Sequence, residues 1–216
     1  MTELFAIPAA AFSPDEAALR ARLSPERLAY IDRLRGTARQ QSFAASLLLD
    51  EAVRRHFPAV PRPLVLSVQA NGKPYLSDSP EVHFSLSHSS DWAVCAVSNH
   101  PVGTDIQRCD TGRRDVARRF FHPDEVRYLD ALSPAERESS FFRLWALKES
   151  FVKADGRGLR LLRHFCVDIS AAPPRVTEQT AYSLFEPAFP DTRYRLAVCM
   201  LEENAVPPAL TVLQAL

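Results

Sequence analysis

The chain alternates between long segments with the apolar spacing of helices and short segments with the residue pattern of strands. Ser24-Pro25 followed by an acidic residue is a helix-start signal, and the stretch 38–57 carries apolar residues at helical spacing. The stretch 82–87 alternates polar and apolar residues, and 92–97 is a short apolar run, so together they predict a β-hairpin.

The second half of the chain repeats this order loosely. We expect a strand at 102–106 and later strands near 165–169, 181–185, 194–200 and 209–213, with helices at 115–120, 123–132 and 134–154. Helix groups combined with mostly antiparallel strands indicate an α+β fold rather than a doubly wound sheet. The order divides the chain into an N-terminal half, 1–101, and a C-terminal half, 102–216.

Composition excludes several broad classes of function. The 26 basic and 26 acidic side chains balance, which argues against nucleic acid or an anionic membrane as the partner. The four cysteines are scattered without metal-ligand spacing, and we see neither a secretory signal nor a membrane-length apolar run. We therefore expect a cytoplasmic protein with reduced thiols. A local cluster of basic residues is typical of a solvated helix face, and it consists of Arg113, Arg114, Arg118 and Arg119.

Glycine is scarce, with six among 216 residues, about half the usual share of roughly 7%. Four of the six lie in three short motifs, which are NGKP with Gly72, VGTDIQ with Gly103, and DGRG with Gly156 and Gly158. Each motif alone is explained by a tight turn. Together they also suggest places where the backbone lies close to a ligand.

Two segments carry candidate chemistry for a hard cation and a phosphate. Asp105 and Gln107 are two apart on a predicted strand and share one face, and an aspartate near a strand end suits Mg²⁺. In WALKESFVK, Trp145, Glu149 and Lys153 share one helix face. Spacing alone favours a surface Glu149–Lys153 ion pair, whereas a drier setting beside tryptophan allows metal binding, proton transfer or phosphate stabilisation.

The segment HFSLSHS contains Ser87 and His88 near its end. A serine hydrolase that uses this pair is disfavoured, because the sequence around Ser87 has no G-x-S-x-G elbow. Adjacent residues of a strand also face opposite ways, so Ser87 is poorly placed for activation by His88. A role for His88 and the serines in hydrogen bonding to phosphate fits the pattern better.

These pieces together resemble one family, the Sfp-type 4′-phosphopantetheinyl transferases. The matching segments occur in the family's order and are SPER (24–27), NGKP (71–74), HFSLSHS (83–89), VGTDIQ (102–107), RFFHPDE (119–125) and WALKESFVKADGRGL (145–159). The resemblance implies two similar halves related by a pseudo-twofold axis, each a small antiparallel sheet with helices, and coenzyme A bound in the cleft between them. It also implies transfer of phosphopantetheine from coenzyme A to a serine of an apo acyl or peptidyl carrier protein, with release of 3′,5′-ADP.

The resemblance also implies roles for individual residues. Asp105, Gln107 and Glu149 correspond to the Mg²⁺ ligands, and Lys153 contacts the transferred phosphate. Glu149 is our candidate base for the carrier serine. The nucleotide end of coenzyme A is assigned to a set in the first half, which consists of Arg27, Gly72, Lys73, Pro74, Ser87 and His88.

Two positions depart from the family pattern. Gln107 replaces an acid that is common in the family, so we expect a neutral amide that coordinates weakly or holds a metal-bound water, and a raised Mg²⁺ requirement. Tyr30 stands where many relatives have a basic residue, so we expect either weaker binding of coenzyme A on that side or Arg33 as the substitute.

Two further expectations concern partners and the loss of activity. A non-catalytic module that binds coenzyme A or a carrier is the alternative that Gln107 raises, and retention of Asp105, Glu149 and Lys153 argues against it. By resemblance we expect a monomer whose partner is an acidic helical carrier surface. The residues do not distinguish carriers of fatty acid, polyketide and nonribosomal peptide synthesis.

Overall fold

The computed structural model of the chain describes residues 2–110, 114–201 and 205–214, without the side chains of residues 114 and 115. The strands in chain order are β1 (Thr2–Pro8), β2 (Leu66–Val68), β3 (Pro74–Leu76), β4 (His83–Ser89), β5 (Trp92–Ser98), β6 (Val102–Arg108), β7 (Val167–Asp168), β8 (Arg175–Val176), β9 (Tyr182–Phe185), β10 (Tyr194–Leu201) and β11 (Leu210–Val212). The α-helices are α1 (Ala17–Arg20), α2 (Pro25–Arg33), α3 (Gly36–His56), α4 (Arg114–Phe120), α5 (Pro123–Ala131) and α6 (Pro134–Asp155), and short 3₁₀ helices span Ala9–Ala11 and Leu159–His164.

The fold divides into two compact units, and the first contains residues 1–101 together with 208–216. Its main sheet has the strand order β11-β1-β5-β4. β4 and β5 form the predicted hairpin, since they pair antiparallel with Ser89 opposite Trp92. β1 lies in the middle of the sheet, antiparallel to β5 and parallel to β11.

Helix α3 is the central helix of unit 1, and the preceding helix α2 begins at the predicted signal. The Ser24 hydroxyl accepts a hydrogen bond from the Arg27 backbone N–H at 3.3 Å, with Pro25 in the first turn. Every residue of α3 from Ser42 to Val53 is buried. This helix therefore joins the hydrophobic core of unit 1 on all sides.

Unit 2 contains residues 102–207 and is organised around one sheet and one long helix. The sheet has the order β6-β10-β9 with antiparallel pairing throughout, and α6 packs against β6 and β10. Helices α4 and α5 and the short pair β7-β8 complete the unit. The α+β fold class predicted from the sequence is confirmed.

The last strand lies elsewhere than expected. Residues 208–216 were expected in the C-terminal half, whereas β11 pairs with β1 through Leu4–Leu210, Phe5–Thr211 and Ala6–Val212 and joins unit 1. Pairing with β1 covers an open edge of that strand, which explains the placement. Among the described residues, no helix combines the length and apolar character that crossing a membrane requires.

Candidate functional site

The site in unit 2 begins where β6 passes directly against α6. A Cβ atom added at Gly103 would lie 2.0 Å from the Ser150 carbonyl oxygen and 2.5 Å from the Ala154 nitrogen. Only glycine permits such a close approach of two backbones. The glycine of the VGTDIQ motif therefore brings the strand that carries Asp105 into contact with the helix that carries Glu149 and Lys153.

Asp105 is the buried centre of this site, with 2% of its surface exposed. Its Oδ1 atom accepts a hydrogen bond from Lys153 Nζ at 2.7 Å, and its Oδ2 atom accepts one from Gln107 Nε2 at 2.9 Å. Lys153 Nζ also donates to the Thr104 carbonyl at 3.1 Å. The direct Asp105–Gln107 contact confirms that the two side chains share one face of β6, as the strand period predicts.

Glu149 is the residue of the site whose charge is balanced least by neighbouring groups. Its carboxylate accepts no hydrogen bond and forms no ion pair within the part of the chain that the structure describes. Burial, together with the negative charge of Asp105, raises the pKa of Glu149 to about 7, and Lys153 opposes this rise. Such a carboxyl group is poised to exchange a proton near neutral pH or to bind a cation.

The predicted surface ion pair between Glu149 and Lys153 is wrong. The Lys153 ammonium instead bonds Asp105 across the helix–strand contact, because β6 supplies a buried carboxylate within its reach. Trp145, one turn before Glu149, packs with its ring centroid 5.8 to 5.9 Å from those of Phe120, Phe121 and Phe141. Trp145 thus belongs to an aromatic cluster, and Glu149, one turn later on the helix, is partly buried.

The donor set fits a hard cation with two carboxylates rather than three. The negative charge of Asp105 lies close enough to raise the pKa of Glu149, and a divalent cation between the two carboxylates would relieve this repulsion. Among the described residues, no group of three or more His, Cys, Asp or Glu side chains is placed to hold a metal ion. Position 107 accounts for part of this result, since its side chain is an amide that donates to Asp105.

Unit 1 holds a second set of candidate residues around Arg27. Its guanidinium donates to the Ser46 hydroxyl at 2.7 Å and the Ser42 hydroxyl at 3.0 Å, and it lies 4.9 Å from the centre of the Tyr30 ring. Burial lowers the pKa of Arg27, and within the described residues no carboxylate pairs with it. A partly buried guanidinium between hydroxyl groups suits an oxyanion ligand.

The other predicted residues of unit 1 differ in their exposure. Ser87 is buried and His88 is exposed, so the two face opposite ways and the arrangement does not suit a serine–histidine nucleophile. Gly72 has a φ of 90°, and the turn is closed by a 3.0 Å hydrogen bond from the Lys73 backbone N–H to Asn71 Oδ1. Lys73 is partly buried and Pro74 is exposed, and both line a cavity of about 440 Å³.

Arg33 does not join the Arg27 set. It is the exposed last residue of α2, and its side chain contacts no partner among the described residues. Tyr30, which stands where many relatives have a basic residue, lies with its ring against the Arg27 guanidinium.

Comparison with known proteins decides the family. Residues 101–199 match the model of the 4′-phosphopantetheinyl transferase superfamily. A 4′-phosphopantetheinyl transferase of Bacillus subtilis is 36% identical over 170 residues, which is 74% of this chain and 73% of the relative. The chain belongs to the 4′-phosphopantetheinyl transferase superfamily.

Other members of the family agree with this assignment. The 4′-phosphopantetheinyl transferase psf-1 of Bacillus pumilus is 39% identical over 72% of this chain and 71% of its own length. The 4′-phosphopantetheinyl transferase HetI of Nostoc is 30% identical over 78% of this chain and 74% of its own length. The chain is thus an enzyme of the transferase class, as the sequence motifs predicted.

Two features of this transferase were not foreseen in the sequence. The first is the pair Ser42 and Ser46, whose spacing of four residues within the apolar helix α3 is the signal that they share one face. The second is a fully buried ion pair between Lys148 and Glu125, with 2.8 Å between Lys148 Nζ and Glu125 Oε2. No local pattern indicates a pair 23 residues apart, although both residues lie in family motifs.

The arginine cluster of the second half is described only in part. Arg113 and the side chain of Arg114 lie outside the described residues. Arg118 and Arg119 are exposed on α4, where Arg118 lies 3.6 Å from Asp130 and Arg119 lies over the Phe120 ring.

Proposed function

We propose that this transferase moves the 4′-phosphopantetheinyl group of coenzyme A to a serine of an apo acyl or peptidyl carrier protein, with Mg²⁺ and with release of 3′,5′-ADP. The observation that carries the proposal is the arrangement of Asp105, Lys153 and Glu149. One carboxylate fixes an ammonium, and the other has a raised pKa and lacks an ion-pair partner within the described part of the chain. This arrangement offers a positive charge for phosphate and a proton acceptor side by side.

Lys153 serves to stabilise phosphate charge. Its hydrogen bonds to Asp105 and the Thr104 carbonyl hold the ammonium in place, and 28% of its side chain remains exposed for a ligand. A positioned ammonium stabilises the charge that develops on the oxygens of the transferred phosphoryl group. The assignment predicts that the charge at residue 153, rather than its volume, is needed for transfer.

Glu149 is assigned to the proton of the carrier serine. The serine oxygen forms a bond to the β-phosphorus of coenzyme A, the bond from that phosphorus to the bridging oxygen breaks, and 3′,5′-ADP leaves with the electron pair. The proton of the hydroxyl passes to the Glu149 carboxylate. The pKa of about 7 applies to the site without Mg²⁺, and a cation held by the same carboxylate would lower its basicity. Glu149 therefore takes the proton through an oxygen that the cation leaves free, or through a water.

Mg²⁺ would be held by Asp105 and Glu149, with Gln107 acting through its hydrogen bond to Asp105. When bound, it offsets the charge of the pyrophosphate. The donor chemistry of these residues fits a hard, oxygen-seeking cation, although with less negative charge than three carboxylates would supply. A raised Mg²⁺ requirement is the consequence that we expect.

The residues of unit 1 are proposed for the nucleotide end of coenzyme A. Arg27, with its two serine partners and no carboxylate partner among the described residues, suits a phosphate monoester such as the 3′-phosphate. His88, Ser87 and the Gly72-Lys73-Pro74 turn are proposed to complete this set. Arg33 is the weakest member, since its exposed side chain is separate from the Arg27 group.

The carrier, the compartment and the assembly state are parts of the same proposal. Exposed arginines of α4, including Arg118 and Arg119, suit an acidic helical carrier surface. The four cysteines are free, which fits a reducing cytoplasm. We expect a monomer, which light scattering on the purified chain will test.

The direct test is an intact-mass assay on an apo carrier protein. The purified chain is incubated with coenzyme A, Mg²⁺ and several apo carriers, and the carrier mass and free 3′,5′-ADP are measured together. We expect one carrier to gain the mass of a single phosphopantetheinyl group, with an equal amount of 3′,5′-ADP. Removal of Mg²⁺ with a chelator should stop the reaction, and added Mg²⁺ should restore it.

The same assay separates the alternatives. Binding of coenzyme A or carrier without a mass gain on any carrier would contradict the proposal and favour a non-catalytic binding protein. Unchanged transfer after chelation would contradict the Mg²⁺ part alone. Omission of coenzyme A is the matched blank, since the transferred group has no other source in the mixture.

A further inference from the structure

A buried ion pair in unit 2 stands beside the proposed catalytic residues without being part of them. Lys148 is fully buried and Glu125 is 3% exposed. Lys148 Nζ lies 2.8 Å from Glu125 Oε2, donates to the Phe165 carbonyl at 2.6 Å, and lies 3.9 Å from the centre of the Phe165 ring. The ammonium is therefore enclosed by protein groups and is closed to substrate.

The Glu125 carboxylate joins three segments of the unit. Its Oε2 atom accepts the His122 backbone N–H at 2.9 Å, at the start of α5. Its Oε1 atom accepts the Val167 backbone N–H at 2.8 Å, at the start of β7. With Lys148 on α6, the pair ties α5, α6 and β7 to one point, and each of these contacts is directional.

Stability alone does not account for such a pair. Removing two charges from water is expensive, and well-packed apolar side chains of similar volume often serve a fold as well or better. What an apolar contact lacks is direction, since dispersion forces allow a helix to rotate or slide with little change in energy. A buried, hydrogen-bonded ion pair permits one orientation.

The orientation of α6 determines where the Glu149 carboxylate lies. On one side of α6, Gly103 lies against the backbone of Ser150 and Ala154. Lys148 leaves the helix in another direction and is held by Glu125. Glu149 lies between these two fixed points in the sequence, so a rotation of α6 about its axis would move its carboxylate relative to Asp105.

We propose that the Lys148–Glu125 pair is a positioning device that fixes the rotation of α6 and so holds Glu149 and Lys153 against Asp105. The inference rests on the proposed roles of those three residues. Lys148 and Glu125 are positioning residues, since neither is open to substrate. A displacement of about 1 Å in a catalytic group is enough to lower a rate about 10²-fold, which gives such a device a measurable effect.

The test uses Lys148→Met, Glu125→Gln and the double variant. Each single change leaves a buried charge or polar group without its partner, so we expect both to lower the melting temperature. The double variant removes the unpaired charge and should recover most of the lost stability. We expect its kcat to stay about 10- to 100-fold below that of the wild type, with KM for coenzyme A changed less than about threefold.

Two controls separate positioning from stability. Arg143 and Glu186 form an ion pair at 2.6 Å that also involves α6, and Arg143→Met with Glu186→Gln should leave kcat unchanged. Leu184→Ala removes a buried side chain from β9 and should lower the melting temperature without lowering kcat. All rates are measured below the melting temperature of each variant, with saturating carrier and Mg²⁺.

The outcomes distinguish this inference from the proposed function. A wild-type protein that modifies no carrier contradicts the proposed function. An active wild type whose double variant regains both stability and full kcat overturns the positioning role, as does a rise in KM with kcat unchanged. If the single variants fail to fold, the double variant alone still decides between these results.

Discussion

The two long helices of the molecule differ in how the carboxylates that they carry are paired. Helix α3 of unit 1 buries Asp50 and Glu51, which are 3% and 2% exposed, and surrounds them with guanidinium groups. Asp50 accepts from Arg22 and Arg62 at 2.8 and 2.5 Å. Helix α6 of unit 2 carries Glu149, which has no such partner among the described residues.

The contrast is visible in the acidity of the two glutamates. Glu51 accepts hydrogen bonds from three arginines, with Arg54 Nη2 at 2.5 Å, Arg55 Nε at 2.7 Å and Arg22 Nη2 at 3.0 Å. Arg54 first, then Arg55 and Arg22, lower the pKa of Glu51 to about 2 despite its burial. Burial and Asp105 instead raise the pKa of Glu149 to about 7.

The pairing of a carboxylate separates structural charge from functional charge in this chain. A carboxylate that is saturated by arginines contributes to the fold and has no capacity left for a ligand. A carboxylate kept close to another carboxylate costs stability and retains its capacity to bind a cation or a proton. Within α6 the same division separates adjacent residues, since Lys148 is fully paired and Glu149 is not paired within the described part of the chain.

Glu149→Gln should abolish most of the transfer activity. The substitution keeps the shape and removes the proton acceptor and the metal-binding charge, so we expect the transfer rate to fall about 10²- to 10⁴-fold. Initial rates of carrier modification at saturating coenzyme A and Mg²⁺ measure this. Glu138→Gln makes the same change on the same helix and should retain the full rate. A Glu149→Gln enzyme with more than about a tenth of the wild-type rate would contradict a role for Glu149 in transfer.

Glu51→Gln should show the opposite behaviour. It weakens the contacts to Arg22, Arg54 and Arg55, and we expect the free energy of unfolding to fall by about 1–3 kcal/mol. The lower part of this range allows for the exposure of Arg54 and Arg55, whose side chains are 56% and 39% exposed. Urea denaturation measures the loss, with the exposed Glu16→Gln as control. A lowered kcat in the folded Glu51→Gln enzyme would contradict the structural role.

Glu149 and Glu51 should give stability opposite dependences on pH. Glu149 titrates at an ordinary pKa of 4.5 in the unfolded chain and at about 7 in the folded protein. Between these values the folded state retains a proton that the unfolded state loses, so this residue lowers stability as pH rises from 4.5 through 7. Glu51 has the opposite sign, since its contribution is complete above 4.5 and is lost as pH falls through about 2.

Glu149→Gln removes the loss of stability that Glu149 causes as pH rises. Relative to the wild type, we expect the metal-free variant to gain about 1–2 kcal/mol of stability at about pH 8 compared with about pH 5, a figure reduced for solvent screening. Denaturation at both pH values in the presence of a chelator gives the difference. Effects of the amide that are independent of pH cancel in this comparison. An equal stability difference at the two pH values would show that Glu149 is not held at a raised pKa.

Local patterns predicted most of the elements, and long-range pairing accounts for the misses. The β4–β5 hairpin and α6 follow from alternation and from a Ser-Pro helix start. β1 was missed because its buried run Leu4–Ile7 lies between two neighbouring strands and shows no alternation. The placement of β11 depends on pairing with β1 across the length of the chain, which no local window contains.

In the candidate site, the sequence predicted the residues but not all of their contacts. The family motifs predicted the residues Asp105, Glu149 and Lys153, whereas helical spacing predicted the wrong partner for Lys153. A spacing of four residues identifies neighbours on one face of a helix. It carries no information about β6, the strand that Gly103 allows to lie against α6. The pairing of Lys148 with Glu125 likewise requires the packed unit.

Gln107 is the residue that keeps the negative charge of the proposed metal site low. Gln107→Glu replaces the amide that donates to Asp105 with a third carboxylate. More ligand charge strengthens the binding of hard cations, so we expect the dissociation constant for Mg²⁺ to fall about tenfold and the Mg²⁺ requirement of transfer to fall with it. Calorimetric titration of the protein with Mg²⁺ alone measures binding independently of activity.

The exposed Gln179→Glu variant is the matched control for the added charge in unit 2, and it should leave Mg²⁺ affinity unchanged. Without Mg²⁺, the third carboxylate near Asp105 and Glu149 should lower the melting temperature, and Mg²⁺ should restore it by more than in the wild type, because a ligand that binds only the folded state stabilises it. An unchanged Mg²⁺ affinity in Gln107→Glu would mean that position 107 lies outside the metal site. The negative charge that binds Mg²⁺ would then come from Asp105 on β6 and Glu149 on α6 alone.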